Sequence, residues 1–319
     1  MPLNPKVAQL LEMIARARRP SMHQMTPQQA RLSYEKSAQI LDLDPQPLAH
    51  VEDLTLPTRD GTTIRARSYQ PFAPNWFAPA PVLLYFHGGG FTVGSIDTHD
   101  AVCRMLAARS DCCVISVDYR LAPEHRFPTA VNDAFDALCW LHQHASTLGL
   151  DPHRMALGGD SAGGTLAAVC AVLARDARIP LCLQLLLYPG TSAHQDSASH
   201  ARYADGYLLS AQTIQWFFEL YIRDASDRED WRFAPLDGRR DAPDLSGLAP
   251  AWIAAPEYDP LFDECVAYAE KLRRAGNQVE LVEYAGMIHD FFKMVRYVPE
   301  VAQAHRDAVT ALRRAFGLD

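Results

Sequence analysis

The sequence predicts an α/β fold, a mostly parallel sheet covered by helices on both faces and roofed by a helical cap. Three observations predict it. Short, nearly continuous apolar runs alternate with helical patterns, a pair of alternating runs joined by a turn precedes them, and one long stretch interrupts the alternation. Strands buried on both faces read as continuous apolar runs, whereas a strand with one wet face alternates.

The chain opens with Val7, Leu10, Leu11 and Ile14, an i, i+3, i+4, i+7 stripe that predicts an amphipathic helix over 5–18. Thr26, Pro27 and Gln29 have the order of a capping box with proline in the first helical position, so a second helix begins there. Pro45 and Pro47 close this segment. The runs VEDLTLP and TTIRARSY, joined at Asp60-Gly61, predict an antiparallel hairpin.

Beyond a Pro-rich loop at 71–81 come apolar runs at 82–87, 112–119, 154–159, 181–188, 251–258 and 278–284. Helical patterns at 98–109, 129–147, 162–175, 264–275 and 300–315 separate most of them. With the hairpin, the sheet has about eight strands. Residues 190–250 interrupt the alternation with a polar start, the helical run SAQTIQWFFELYI and a Pro/Gly-rich end. An insertion of that length between strands usually forms a lid or cap. The organisation expected is an N-terminal cap segment (1–50) and a catalytic domain (51–319) with a cap insertion at about 190–235.

The 319 residues are 48% hydrophobic and 21% charged, enough to bury a large core, and the formal net charge is -8. That balance carries no electrostatic footprint for nucleic acid or anionic membranes. The seven cysteines show no CxxC spacing, and most lie in apolar segments, which fits free thiols in a reducing compartment and no metal site. Gln9 and Glu12 interrupt the N-terminal apolar stretch, unlike a signal peptide, and no apolar run approaches the roughly 20 residues of a membrane span. A cytoplasmic protein without stable membrane insertion is expected, and a homodimer is compatible with this reading.

The decisive motif is Gly159-Asp160-Ser161-Ala162-Gly163. It lies between a predicted strand and a predicted helix, where a G-x-S-x-G turn exposes its serine at the top of the sheet as a nucleophile. His87-Gly88-Gly89-Gly90 follows another strand. Its glycines let backbone N–H groups approach a developing oxyanion, and Gly88, Gly89 and Ala162 are the expected donors. His87 reads as a brace for this loop.

Among twelve histidines, His289 stands just after the strand at 278–284, on the sheet edge that carries Ser161, and is the expected base. His194 and His200 fall in a polar stretch and read as solvated; His305 falls in the last helix. EYDPLFDE offers several carboxylates. Asp259 follows its strand directly and precedes Pro260, which holds it out of the next helix, so it is the expected partner of His289; Asp263 and Glu264 are placed to cap that helix. Phe91 and Tyr207 are candidates to line the acyl pocket. Trp216, Phe217, Leu220 and Tyr221 form a stripe that reads first as packing of cap on body, with Trp216 also a candidate for substrate contact.

Together HGGGF (87–91), DYRLAPEHRFP (118–128), GGDSAGG (158–164), EYDPLFDE (257–264) and GMIHDFF (286–292) resemble the hormone-sensitive-lipase-like carboxylesterases with a GDSAG elbow, from about residue 80 to the end. The resemblance implies an α/β-hydrolase fold, its cap built from the N-terminal helices and the insertion. It also implies a serine carboxylesterase acting on short- to medium-chain acyl esters through an acyl-enzyme, with no cofactor and a small-molecule ester as partner. Two positions depart from the family pattern, Cys265 and Asp290, where glycine is usual. Amide or lactone hydrolysis on the same triad, and a non-catalytic ligand receptor on this fold, are the alternatives.

Overall fold

The structure, a computed structural model, describes residues 2–42 and 44–319. Two helices come first, α1 (Pro5–Arg16) and α2 (Pro27–Leu41). The hairpin follows as β1 (His50–Pro57) and β2 (Thr63–Gln70). Then β3 (Ala80–Phe86), α3 (Asp100–Ser110), β4 (Cys113–Asp118), α4 (Thr129–His144), β5 (Leu150–Asp160), α5 (Ala162–Asp176) and β6 (Leu183–Leu187) alternate. The interrupting stretch holds α6 (Ala198–Arg202) and α7 (Ala211–Tyr221), and the chain ends with β7 (Ala251–Tyr258), α8 (Phe262–Arg274), β8 (Val279–Ile288) and α9 (Val301–Phe316).

Among the described residues the sheet has eight strands in the order β1-β2-β4-β3-β5-β6-β7-β8. β1 and β2 pair antiparallel, as do β2 and β4, and all other neighbours are parallel. The expected α/β-hydrolase architecture is therefore present. β3 sends its crossover through α3 back to β4, whereas β5 sends its crossover forward to β6. Crossovers between parallel strands are right-handed, so the two helices lie on opposite faces. A crevice opens beyond the C-terminal ends of β3 and β5, where the direction reverses.

The strands on either side of that crevice are buried where they approach it. Val82, Leu83, Leu84 and Phe86 of β3, and Met155 and Leu157 of β5, are fully buried. All seven cysteines are free thiols, five of them buried. No helix among the described residues is long and apolar enough to cross a membrane.

The first two helices begin as the residues dictate. Asn4 accepts from the backbone N–H groups of Lys6 and Val7, and Thr26 and Gln29 close a capping box at the start of α2. Both helices are tied to the body. The Asn4 N–H donates to the Gly286 carbonyl at 3.1 Å, while Val7 and Leu10 enter the main core. Arg31 of α2 donates to the Thr92 carbonyl at 2.9 Å and the Ala122 carbonyl at 2.7 Å, and pairs with Glu124 at 2.6 Å.

α5 starts so close to β3 that a side chain has no room there. A Cβ on Gly163 would stand 1.9 Å from the Phe86 carbonyl oxygen and 2.6 Å from that of His87. Those are backbone atoms of a central strand and cannot swing aside as a side chain would. Gly163→Ala is therefore expected to lower unfolding free energy by more than about 3 kcal/mol, read by urea denaturation. A loss under about 1 kcal/mol would show that α5 can move off β3 freely.

Candidate active site

Four loops at the C-terminal edge of the sheet build the site. The β5–α5 turn is sharp enough to force Ser161 to φ 51°, ψ -120°, a conformation that L-residues adopt only under constraint. The Ser161 N–H is held by the Leu187 carbonyl at 2.8 Å, which anchors the turn to the next strand. On the other side, Tyr258 and Ile288 are register partners at the ends of β7 and β8. Asp259 and His289 are the next residue along each strand, so parallel pairing alone delivers them side by side.

The three side chains form one hydrogen-bonded line. Ser161 Oγ lies 3.0 Å from His289 Nε2, and His289 Nδ1 lies 2.6 Å from Asp259 Oδ2. Asp259 is fully buried, and its other oxygen accepts the Leu261 N–H at 2.9 Å. The ring of His289 also meets that of Tyr188 edge-on at 5.0 Å. Burial disfavours a charge on the imidazole. The charge and hydrogen bond of Asp259 outweigh that effect, with Asp290 adding to them, so the His289 pKa is raised above the usual imidazole value.

The oxyanion loop differs from expectation at one position. Gly88 is not an open donor, because its N–H is directed at Asp160 Oδ1, 3.0 Å away. Asp160 is 2% exposed, and the same oxygen accepts the Tyr85 hydroxyl at 2.7 Å while Oδ2 faces His99 Nε2 at 3.2 Å. Burial works against the Asp160 charge, but His99 and these hydrogen bonds hold its carboxyl well below the usual range. Gly89, Gly90 and Ala162 instead line the cavity beside Ser161, and among the described residues their N–H groups meet no protein acceptor. Gly89 and Ala162 thus stay open as expected, and Gly90 takes the place expected for Gly88. His87 is a brace, as expected. Its Nδ1 is 2.8 Å from the Gly88 carbonyl, its ring stacks on Tyr119 at 4.3 Å, and burial beside His99 lowers its pKa to about 4.

Ser161 opens into a cavity of about 900 Å³. Its walls come from the N-terminal helices (Met13, Ile14, Ile40) and from the interrupting segment (Leu208, Leu209, Phe217). Phe91 lines it as expected and stacks on Tyr221 at 4.0 Å. Tyr207 and Trp216 are not on its wall. Tyr207 packs on Tyr203 and Tyr258, and Trp216 joins a small cluster around Ala30, Val93 and Phe217. The wall positions go to residues flanking them, Leu208 and Phe217, because the helix and loop turn those side chains inward.

Three polar side chains also depart from expectation. His200 is 4% exposed and faces Glu264 at 3.4 Å on the cavity wall, so it is not solvated. Glu264 does not cap α8; it accepts from the Ser192 N–H at 2.7 Å and from Thr191, and Asp263 accepts from the Ser199 N–H at 2.7 Å. Both carboxylates fasten the start of the insertion. A polar stretch looks solvated in sequence until partners from elsewhere in the chain cover it.

An imidazole must be neutral to take a proton from a serine, so a raised pKa moves the loss of activity upward in pH. For a neutral ester, the acid limb of kcat/KM is expected above about pH 6.5, with activity falling as pH drops through it. Removing a carboxylate that raises the base should shift the limb down, and Asp290→Gly is the substitution to measure. A limb unmoved by it would show that Asp290 does not act on His289.

Residues 83–293 match a family model described as the alpha/beta hydrolase fold. The chain is 40% identical to the ethyl acetate hydrolase of Pseudomonas putida over 98% of its length and 99% of that protein. It is 41% identical to carboxylesterase NlhH of Mycobacterium tuberculosis over 85% of this chain and 84% of that one. An ester hydrolase from the metagenome of Lake Arreo superposes with a TM-score of 0.92 at 38% identity, covering 99% of both chains. A hyperthermophilic esterase of Pyrobaculum calidifontis gives a TM-score of 0.91 at 38% identity, covering 98% and 99%. The chain belongs to the α/β-hydrolase family, among the hormone-sensitive-lipase-like carboxylic ester hydrolases.

Proposed function

We propose that this enzyme hydrolyses short- to medium-chain acyl esters of small alcohols through an acyl-enzyme on Ser161. The observation that carries the proposal is the unbroken line Ser161 Oγ, His289, Asp259 at 3.0 and 2.6 Å, facing three uncommitted N–H groups. His289 takes the Ser161 proton as Oγ attacks the ester carbonyl. The carbonyl oxygen becomes an oxyanion and accepts from the N–H groups of Gly89, Gly90 and Ala162. The C–O bond to the alcohol then breaks as His289 returns the proton to the leaving oxygen. Water, deprotonated by the same imidazole, releases the acid and restores Ser161. Asp259 holds the tautomer that leaves Nε2 free to accept.

The cap belongs to the same proposal. Residues 1–50 and the insertion at about 190–235 roof the cleft and give it a finite, largely apolar depth. A relative named for ethyl acetate supports a preference for small esters.

Ser161→Ala is expected to abolish labelling by a fluorophosphonate probe and lower turnover by about 10⁴-fold or more. Asp259→Asn should reduce kcat by about 10³- to 10⁴-fold, whereas Asp263→Asn, which touches only the insertion, should leave it within a few-fold. The reverse order would mean that the wrong carboxylate carries the imidazole.

Chain-length dependence tests the roof. Each methylene buried contributes about 0.8 kcal/mol, or roughly fourfold in kcat/KM. For p-nitrophenyl esters, kcat/KM should rise over the first few carbons, peak among short to medium chains and fall for palmitate. A value still rising at palmitate would contradict a closed pocket.

A further inference from the structure

The residue after the base is a carboxylate fixed in place by two partners. Asp290 has φ 63°, the left-handed conformation that turns the chain from β8 into the next short helix. Its Oδ2 lies 3.2 Å from Lys293 Nζ and 3.5 Å from the Tyr34 hydroxyl. Lys293 is 4% exposed, donates to the Tyr34 oxygen, and sits 4.3 Å from the centre of that ring. One partner therefore comes from the sheet edge and the other from α2, and both are directed at the same carboxylate oxygen.

Oδ1 is different. Among the described residues it meets no donor, although Asp290 lines the cavity together with Ser161 and His289. A carboxylate oxygen facing a largely apolar space keeps its lone pairs only if something donates to them. A substrate that displaces water from such an oxygen without bringing a donor of its own loses a hydrogen bond.

The chemistry decides which part of a substrate arrives there. His289 Nε2 returns its proton to the leaving oxygen, so the alcohol portion lies against His289. Asp290 is the next residue on the same wall. Lys293 already pairs with this carboxylate at 3.2 Å, so the oxygen left open favours a neutral donor over a second full cation.

We propose that Asp290 Oδ1 is a subsite for a hydroxyl on the alcohol portion of the ester, so that monoesters of diols and of glycerol are preferred over size-matched esters of simple alcohols. This rests on Ser161 and His289 acting as proposed above.

The test compares kcat/KM for 2-hydroxyethyl butyrate with that for propyl butyrate, within the wild-type enzyme, Asp290→Gly and Asp290→Asn. Taking the ratio within each protein cancels changes in the base, because both esters use the same serine and imidazole. Glycine is suited to the left-handed backbone at this position. The hydroxyethyl/propyl ratio should fall about tenfold in Asp290→Gly and by less in Asp290→Asn, which keeps an acceptor oxygen without the charge. A ratio equal within twofold in all three proteins would overturn the proposal. So would butyrylcholine depending on Asp290 more strongly than the hydroxyethyl ester, since that marks a cation site. If the wild-type enzyme turned over none of these esters, the Ser161 reading itself would fail, an outcome distinct from a flat ratio.

Discussion

The carboxylate of Asp160 ties the two halves of the site together. It ends β5, one residue before Ser161, yet it takes the Gly88 N–H of the loop after β3 at 3.0 Å and the Tyr85 hydroxyl at 2.7 Å. The turn that carries Ser161 and the glycine run after β3 are thus tied together across the crevice where the crossovers reverse. Hydrogen bonds to a buried charge contribute about 1.5–3 kcal/mol each. Because the Asp160 pKa is depressed in the fold, this stabilisation is present above the unfolded carboxylate value, near about pH 3.9, and is lost only as acid reaches the lower folded value. Across the neutral range the Asp160 carboxylate keeps its charge.

How much of this was legible in the sequence follows from what each feature depends on. The eight strands and the side-by-side arrival of Asp259 and His289 come from apolar runs and from residues immediately after strands, and both are local patterns. The glycine run after β3 was legible as an oxyanion loop, but not which N–H groups stay open. That depends on Asp160, seventy-two residues away in the chain, claiming Gly88. His200 and Glu264 read as solvated and helix-capping for the same reason: their partners, each other and the start of the insertion, are set by tertiary contact. Tyr207 and Trp216 missed the cavity by one position each, because periodicity fixes a helix or loop but not the rotation of its faces to within one residue.

The roof is coupled to the loop it covers. Phe217 of α7 lies so close to Gly90 that a Cβ there would stand 2.3 Å from its ring. Ala30 of α2 and Val93 of the oxyanion loop complete a second, smaller core with Phe217, separate from the main one. Three segments distant in sequence meet at that cluster, and Gly90, which lacks a side chain there, is one of the residues whose N–H stays open beside Ser161. Shape at Gly90 thus serves two ends at once: it admits Phe217 of α7 and it leaves the Gly90 N–H uncovered.

The electrostatics around His289 divide between two carboxylates of unequal standing. Asp259 is fully buried and bonds the imidazole directly, and of the two it raises the base more. Asp290 also raises the base, but Lys293 lies 3.2 Å from it, and the pair acts on the ring as a dipole. Two uncompensated carboxylates would hold His289 protonated further into the working range, leaving less of it able to accept the Ser161 proton. Lys293 lets a carboxylate stand beside the base at smaller cost to that neutral fraction. Tyr34, reaching in from α2, makes the N-terminal segment part of the arrangement. The N-terminal helices, which line this cavity, are therefore joined to the His289 side of it through a polar contact as well as through apolar packing.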